Sequence, residues 1–306
     1  MQRRRRIPHK TSGGTAPRAG PIFCLKLVCG RHLLDLSRPR IMGVVNVTPD
    51  SFSDGGRYLD PSRALDRARQ LVSDGADIVD VGGESTRPGA ARVSEAEELE
   101  RVLPIVEALA NEGAIVSIDS MKPAVMRAAV DAGASMVNDV RALMEPYALA
   151  AALPHDVAIC LMHMQGDPRT MQQSPSYDDV VREVGDFLLA RAQACEEAGI
   201  ARERLVIDPG FGFGKTVEHN LELLRGLPEI VGLGYPVLAG LSRKATIGRL
   251  TGRDVDDRMA GSIAAALAAV ERGASIVRVH DVRETADALA VWRAVNSGEL
   301  AHPLRA

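Results

Sequence analysis

No apolar run in the 306 residues is long enough to span a bilayer, which excludes a protein built on membrane-crossing helices. No charge of one sign dominates either. Thirty-seven Lys and Arg stand against 40 Asp and Glu, and a net charge of -3 gives no reason to expect nucleic acid as a partner. Cysteine is scarce: Cys24, Cys29, Cys160 and Cys195 form no Cys-x-x-Cys pair. That argues against a zinc site and a disulfide framework, and reads as reduced thiols in a cytoplasmic protein. No Gly-x-Gly-x-x-Gly turn follows the first strand, which argues against a dinucleotide-binding open sheet. No fixed short period runs through the chain, so a solenoid is not expected.

What is present is a repeated ending. Eight short apolar stretches each come out on polar residues: Val44 to Thr48, Ile78 to Thr86, Ile115 to Ser120, Met136 to Asp139, Ile159 to Met164, Leu205 to Gly210, Val237 to Lys244 and Ile276 to Asp281. Segments of helical periodicity lie between them: Ser62 to Ser73, Ser94 to Asn111, Ala124 to Asp131, Tyr147 to Leu153, Asp178 to Ala198, Glu218 to Leu224, Arg258 to Arg272 and Glu284 to Asn296. Ser94 with Glu97 fits a capping box. Gly75, Gly113, Gly133, Gly199 and Gly273 stand where helices stop before the next strand. The pattern predicts an α/β protein, a (β/α)8 TIM barrel whose strand ends open on one face. Residues 300 or so long commonly form one such domain. Phe23 to Val28 and His32 to Leu36 alternate around Cys29-Gly30-Arg31, which predicts an N-terminal hairpin plugging the bottom of the barrel. Residues 1–20, with Arg3 to Arg6, Lys10 and Arg18 and no acid, read as a solvated, disordered basic extension, leaving 21–306 as a single domain.

The strand endings carry the candidate chemistry. Asn46 closes the first strand before a long polar loop. It is either a turn residue or a group for an anion or a hydrated Mg²⁺. In the second ending, Thr86 and Arg87 suit an anionic group, with a solvated loop charge as the plain alternative for Arg87. Asp119, Asn138 and Asp208 end strands three, four and six. Three such groups converging suit a flat heterocycle with a guanidine-like edge, which a carboxylate recognises. The stretch Ile207 to Thr216 looks like a phosphate loop, but Pro209 stands where that pattern needs glycine. Its glycines are expected to let the backbone approach a ligand, with Phe213 as an apolar face. Ser242, Arg243 and Lys244 end strand seven. Arg278 and His280 end strand eight two residues apart, so both point to one side, and they suit a pyrophosphate. His163, between Met162 and Met164, reads as structural.

Taken together, NVTPDSFSDGG, GGESTRPGA, IDS, VND, MHMQGDP, DPGFGFGK, SRK and RVHD, in that order from Cys24 to Asn296, resemble the dihydropteroate synthase family of pterin-binding barrels. The resemblance implies condensation of (7,8-dihydropterin-6-yl)methyl diphosphate with 4-aminobenzoate. It implies that Asp119, Asn138, Asp208 and Lys244 bind the pterin, and that Thr86, Arg278 and His280 hold the diphosphate, with Mg²⁺ near Asn46. Ser242 and Thr86 would lie near the benzoate carboxylate, with Arg87 and Phe213 beside them. The loops Val47 to Tyr58 and Glu84 to Val93 would close over the site. Asp119, Lys244, Arg278 and His280 are the expected catalytic set, small molecules the expected partners, and a homodimer the expected assembly. Ala260 to Ala269 would pack on a second subunit or on the barrel. A pterin-binding methyltransferase of the same barrel class is the rival reading, but it has no use for a diphosphate clamp. A non-catalytic homologue would lack one or more of Asn46, Asp208, Lys244 and Arg278.

Overall fold

The computed structural model describes residues 26–48, 61–85, 92–152, 155–168 and 170–298. Alternation builds the first element. β1 (Lys26–Cys29) and β2 (His32–Asp35) pair antiparallel through a turn at Gly30, whose φ of 58° suits glycine. The basic extension and residues 23–25 of the expected hairpin lie outside the described residues.

Eight parallel strands follow: β3 (Arg40–Asn46), β4 (Ile78–Gly82), β5 (Val116–Asp119), β6 (Met136–Asp139), β7 (Ala158–Met162), β8 (Leu205–Asp208), β9 (Leu238–Ala239) and β10 (Ile276–Val279). Their order is β8-β7-β6-β5-β4-β3-β10-β9. An isolated parallel bridge between Ile207 and Val237 joins the two ends and closes the barrel. β9 is much shorter than the Val237 to Lys244 stretch that carries it. Pro236 has no N–H to give to the ladder, and its carbonyl instead accepts from Ile207 N at 3.0 Å.

The helices are α1 (Pro61–Ser73), α2 (Glu95–Asn111), α3 (Pro123–Asp131), α4 (Ala148–Ala152), α5 (Val180–Glu197), α6 (Val217–Arg225), α7 (Leu227–Val231), α8 (Ala245–Thr251), α9 (Met259–Val270) and α10 (Val282–Ser297). Residue 153, the expected end of α4, lies outside the described residues. Ser94 accepts from Glu97 N at 3.2 Å, as a cap should, but Glu97 turns its carboxylate to Arg101 and does not close the box. A closed box forms instead at Thr216, with His219 as the reciprocal partner. The five junction glycines all have positive φ, between 86° and 108°.

Two cores result. One lies between the sheet and the helices. The other lies inside the barrel, where Met42, Ile78, Met136, Ala158, Cys160, Val206, Leu238 and Ile276 meet Leu27, Cys29, Leu34 and Leu36 of the hairpin region. The hairpin therefore plugs one end. Side chains alternate along a strand, so the inward position two residues further on belongs to the same interior: Asp80, Asn138, Asp208 and Arg278. The apolar floor and the polar mouth are one parity of the same strands. On α9, Ser262, Ala266, Ala269 and Val270 are buried and Ala260 and Ala264 exposed, as for a helix packed on a barrel by one face. No described helix is long and apolar enough to cross a membrane.

Candidate active site

At the polar mouth the first fact is an ion-paired arginine. Arg278 donates from Nε to Asp80 Oδ2 at 2.6 Å and from Nη2 to Asp119 Oδ2 at 2.7 Å. The same Asp80 oxygen accepts from Asn138 Nδ2 at 3.1 Å. Asp80 is completely buried, and its Oδ1 has no partner among the described residues. Burial pulls Arg278 down, but Asp80 and Asp119 outweigh it and keep the guanidinium charged. Burial raises Asp119, with Arg278 opposing. Sequence reasoning gave Arg278 to an anion. In the folded chain two of its three nitrogens are committed to carboxylates, which leaves Nη1 for a ligand.

Asp208 ends β8 and Lys244 follows β9 at the same mouth. Asp208 Oδ1 accepts from Gly210 N at 2.7 Å across a tight turn. Burial raises its pKa, with Lys244 the foremost opposing charge. Lys244 is pulled down to about 8 by burial, with Asp208 opposing and Arg278 adding to the fall. Its Nζ donates to the carbonyl of Phe211 and lies 4.7 Å from the Phe213 ring centroid. Part of what the Phe213 ring faces is therefore Lys244.

The backbone after β9 explains how one tripeptide serves two directions. Arg243 sits at φ 58°, in the left-handed region that costs about 1–2 kcal/mol for a residue with a Cβ. Its guanidinium makes a fork to Asp281, Nε–Oδ2 3.1 Å and Nη2–Oδ1 2.5 Å, and its N–H donates to Ser262 Oγ at 2.9 Å. That reversal separates Ser242 and Lys244 from Arg243. Ser242 Oγ accepts from His280 N at 3.3 Å and lies 3.0 Å from His280 Nδ1. Ser242, expected near the benzoate carboxylate, and His280, expected at the diphosphate, are thus direct neighbours.

Asn46 is half-buried at the tip of β3, and its side chain makes no hydrogen bond among the described residues. A lone amide oxygen suits Mg²⁺, which keeps most of its waters and takes few protein ligands. Three or more acidic, His or Cys groups clustered for a metal do not occur among the described residues. Thr86, Arg87, and residues 49–58 and 86–91 of the expected closing loops lie outside the described residues.

Two buried residues carry more than the sequence reading assigned. Asp80 was legible in principle, since an aspartate on the inward parity of the apolar run IVDVG has no other way to face. Lys215 gave no such signal. It stands in the discarded phosphate-loop pattern, but its Nζ is buried beneath the loop, 2.9 Å from His163 Nδ1, and donates to Gly210 O at 3.0 Å and Phe213 O at 3.1 Å. His163 is buried and pulled down to about 3 by burial and by Lys215, so it is neutral and structural. Two of the loop glycines also approach the protein's own backbone closely. A Cβ on Gly210 would overlap the His163 carbonyl, and one on Gly214 the Gln165 carbonyl. These glycines let the loop approach protein backbone.

Residues 42–280 match the family described as "Pterin binding enzyme". Dihydropteroate synthase of Haemophilus influenzae is 52% identical over 271 residues, 88% of this chain and 98% of that protein. The Escherichia coli K12 enzyme is 49% identical over 276 residues, 90% and 98% of the two chains. Among solved structures, Xanthomonas albilineans dihydropteroate synthase with 4-aminobenzoic acid superposes with a TM-score of 0.85 at 53% identity, covering 90% of this chain and 99% of that one. The same enzyme in complex with 7,8-dihydropteroate gives 0.82 at 51%, covering 89% and 99%. Such identity over nearly the whole of each relative, on the barrel and polar mouth just described, means that the chain belongs to the dihydropteroate synthase family of pterin-binding enzymes.

Proposed function

We propose that the chain condenses (7,8-dihydropterin-6-yl)methyl diphosphate with 4-aminobenzoate to give 7,8-dihydropteroate and diphosphate. The observation that carries the reading is the group of buried Asp80, Asn138 and Asp208 with half-buried Asp119, Lys244 and Arg278 at one barrel mouth. Relatives with half the residues in common carry this activity in their names, and one is solved with the product.

In this reading Asp208 and Asn138 take the guanidine-like edge of the pterin. Asp208 spends Oδ1 on Gly210 and keeps Oδ2 for the ligand. Lys244 donates to the ring from the side of Phe213. The C–O bond to diphosphate breaks first, its electron pair leaving with the oxygen. Arg278 Nη1 and His280, with Thr86, receive that growing negative charge. The cation left on the methylene is delocalised into the ring and faced by the Asp119 carboxylate. The neutral arylamine then attacks, a C–N bond forms, and the nitrogen releases its proton. No strong base is needed, because an arylamine is unprotonated at neutral pH. Asn46 would hold Mg²⁺, which supplies charge neutralisation at the diphosphate oxygens. Ser242, Thr86, Arg87 and Phe213 would meet the benzoate, and sulfonamides would compete there.

Diphosphate release, measured with and without 4-aminobenzoate and Mg²⁺, tests the reading. Steady-state release that needs both substrates supports the condensation, and no release with or without 4-aminobenzoate would end it. In a single turnover, a requirement for bound 4-aminobenzoate before any diphosphate appears would remove the dissociative order. The assembly is proposed to be a homodimer, supported by exposed Leu250, Val255, Met259, Val291 and Val295 on and between α8, α9 and α10. Sedimentation at monomer mass would overturn that. A cytoplasmic setting is supported by the free, buried thiols of Cys29, Cys160 and Cys195, and fractionation tests it.

A further inference from the structure

The loop from Gly210 to Lys215 has to be shaped by something, since three of its residues occupy left-handed backbone. Gly210, Gly212 and Gly214 have φ of 66°, 81° and 61°. A run of alternating glycines is conformationally loose in isolation. In the folded chain it is tied at nearly every polar atom. Gly212 N donates to Asn220 Oδ1 at 2.7 Å, and the Gly212 carbonyl accepts from Gln172 Nε2 at 2.5 Å. Tyr177 Oη donates to Gly214 O at 2.8 Å. The central tie is Lys215, whose side chain folds back under its own loop.

An ammonium has three N–H donors and no acceptor. Lys215 has three acceptors, and they span the loop: Gly210 O at its start, Phe213 O near its end, and His163 Nδ1 just beyond β7. The Tyr177 ring centroid lies 6.0 Å away, and Phe187 packs edge-on against His163 at 5.0 Å, so the knot is walled by aromatics. Burial pulls Lys215 down to about 7, with Asp208 opposing and Lys244 adding to the fall. With its three donors taken by Gly210 O, Phe213 O and His163 Nδ1, the ammonium has none left for a ligand.

The upper side of the same loop is a bed for Lys244. The Phe211 carbonyl accepts from its Nζ, and the Phe213 ring lies against it. A Cβ on Gly212 would stand 3.1 Å from Lys244 Cδ, so the bare glycine leaves room for the lysine stem. We propose that Lys215 is a positioning residue: its ammonium ties the 210–215 loop to the end of β7, and the tied loop holds Lys244 in the orientation in which it meets the heterocycle. The inference rests on the reading of Lys244 as a pterin-binding group.

A double-mutant cycle tests it, with Lys215→Met, Lys244→Ala and the double variant of the full-length protein. The probe is 6-hydroxymethylpterin, which has no leaving group, titrated by calorimetry. KM for each substrate is measured alongside. Lys215→Met is expected to weaken pterin binding by about tenfold, the loss of roughly one charge-assisted bond made by Lys244. KM for 4-aminobenzoate should move less than pterin affinity, since of its expected contacts only Phe213 belongs to the tied loop, whereas Ser242, Thr86 and Arg87 do not. In the Lys244→Ala background the same change should add almost nothing. An equal factor in both backgrounds, or unaltered pterin affinity in Lys215→Met, overturns the inference. If Lys215→Met does not fold, His163→Leu removes one of the three acceptors, and the same cycle is read with it. A wild-type chain that binds no pterin, with Lys244→Ala indistinguishable from it, overturns the proposed function as well, so the two failures are told apart.

Discussion

Asp208 offers the sharpest perturbation, because its two oxygens do different things. Oδ1 accepts from Gly210 N at 2.7 Å and belongs to the fold. Oδ2 belongs, in the proposed reading, to the pterin. Asp208→Ala removes both. A charge-assisted hydrogen bond is worth about 1.5–3 kcal/mol, which is roughly 10- to 150-fold in affinity at about 1.4 kcal/mol per decade. The same change leaves the buried Gly210 N–H without its partner, at a further cost of about 1–3 kcal/mol in stability. For a chain of this size that is a fall in Tm of about 2–4 °C per kcal/mol. Lys244 also loses the charge that chiefly opposes its desolvation, so its pKa falls further below about 8. Asp208→Asn separates the effects. Its amide oxygen keeps Gly210 satisfied while the negative charge disappears, so stability should hold and pterin affinity should still drop by tenfold or more. Calorimetric titration with 6-hydroxymethylpterin and a thermal melt measure the two quantities independently. Near-normal affinity in both variants would refute the assignment of Asp208 to the pterin edge, whatever the melts show.

Other outcomes follow from the same geometry. Because burial lowers Lys244 to about 8, its charged form exists below that pH, and kcat/KM for the pterin diphosphate should fall as pH rises through about 8. Lys244→Arg stays charged and should abolish that limb, and an unchanged profile would remove Lys244 from the titration. Asp80→Asn breaks an ion pair with Arg278 in which the carboxylate is fully buried and the arginine partly so. Loss of one partner typically costs about 3–5 kcal/mol, and Asp119 should blunt it, so urea unfolding is expected to show a loss at or below the lower figure. A midpoint equal to wild type would mean that Asp80 holds nothing. Gly214→Ala places a Cβ at φ 61°, costing about 1–2 kcal/mol from the backbone alone, and drives it into the Gln165 carbonyl. A thermal melt unmoved by that substitution would contradict the packing of the loop on β7.

Much of this was legible along the chain because a parallel barrel repeats one local rule. The barrel strands are apolar runs, the long helices show a 3.6-residue period, and five helices stop on glycine just before a strand, so Gly75, Gly113, Gly133, Gly199 and Gly273 could be placed without coordinates. The polar residue after each run marks the mouth, which is why Asp119, Asn138, Asp208, Lys244, Arg278, Ser242 and His280 could be named from sequence. Parity within a strand could also have pointed to Asp80, although only its contacts with Arg278 and Asn138 give it a purpose.

Who holds whom was not in the sequence. That Arg278 divides itself between Asp80 and Asp119, 198 and 159 residues away, depends on strands brought side by side by the closing of the barrel. That Lys215 turns under its loop depends on His163 arriving from the neighbouring strand with an unprotonated nitrogen. The physical reason is that local chemistry sets secondary structure and parity, whereas desolvation and charge pairing act through space. A lysine in a glycine-rich turn has the same letter whether it reaches out to a phosphate or inward to a histidine, and only the packed interior chooses between them.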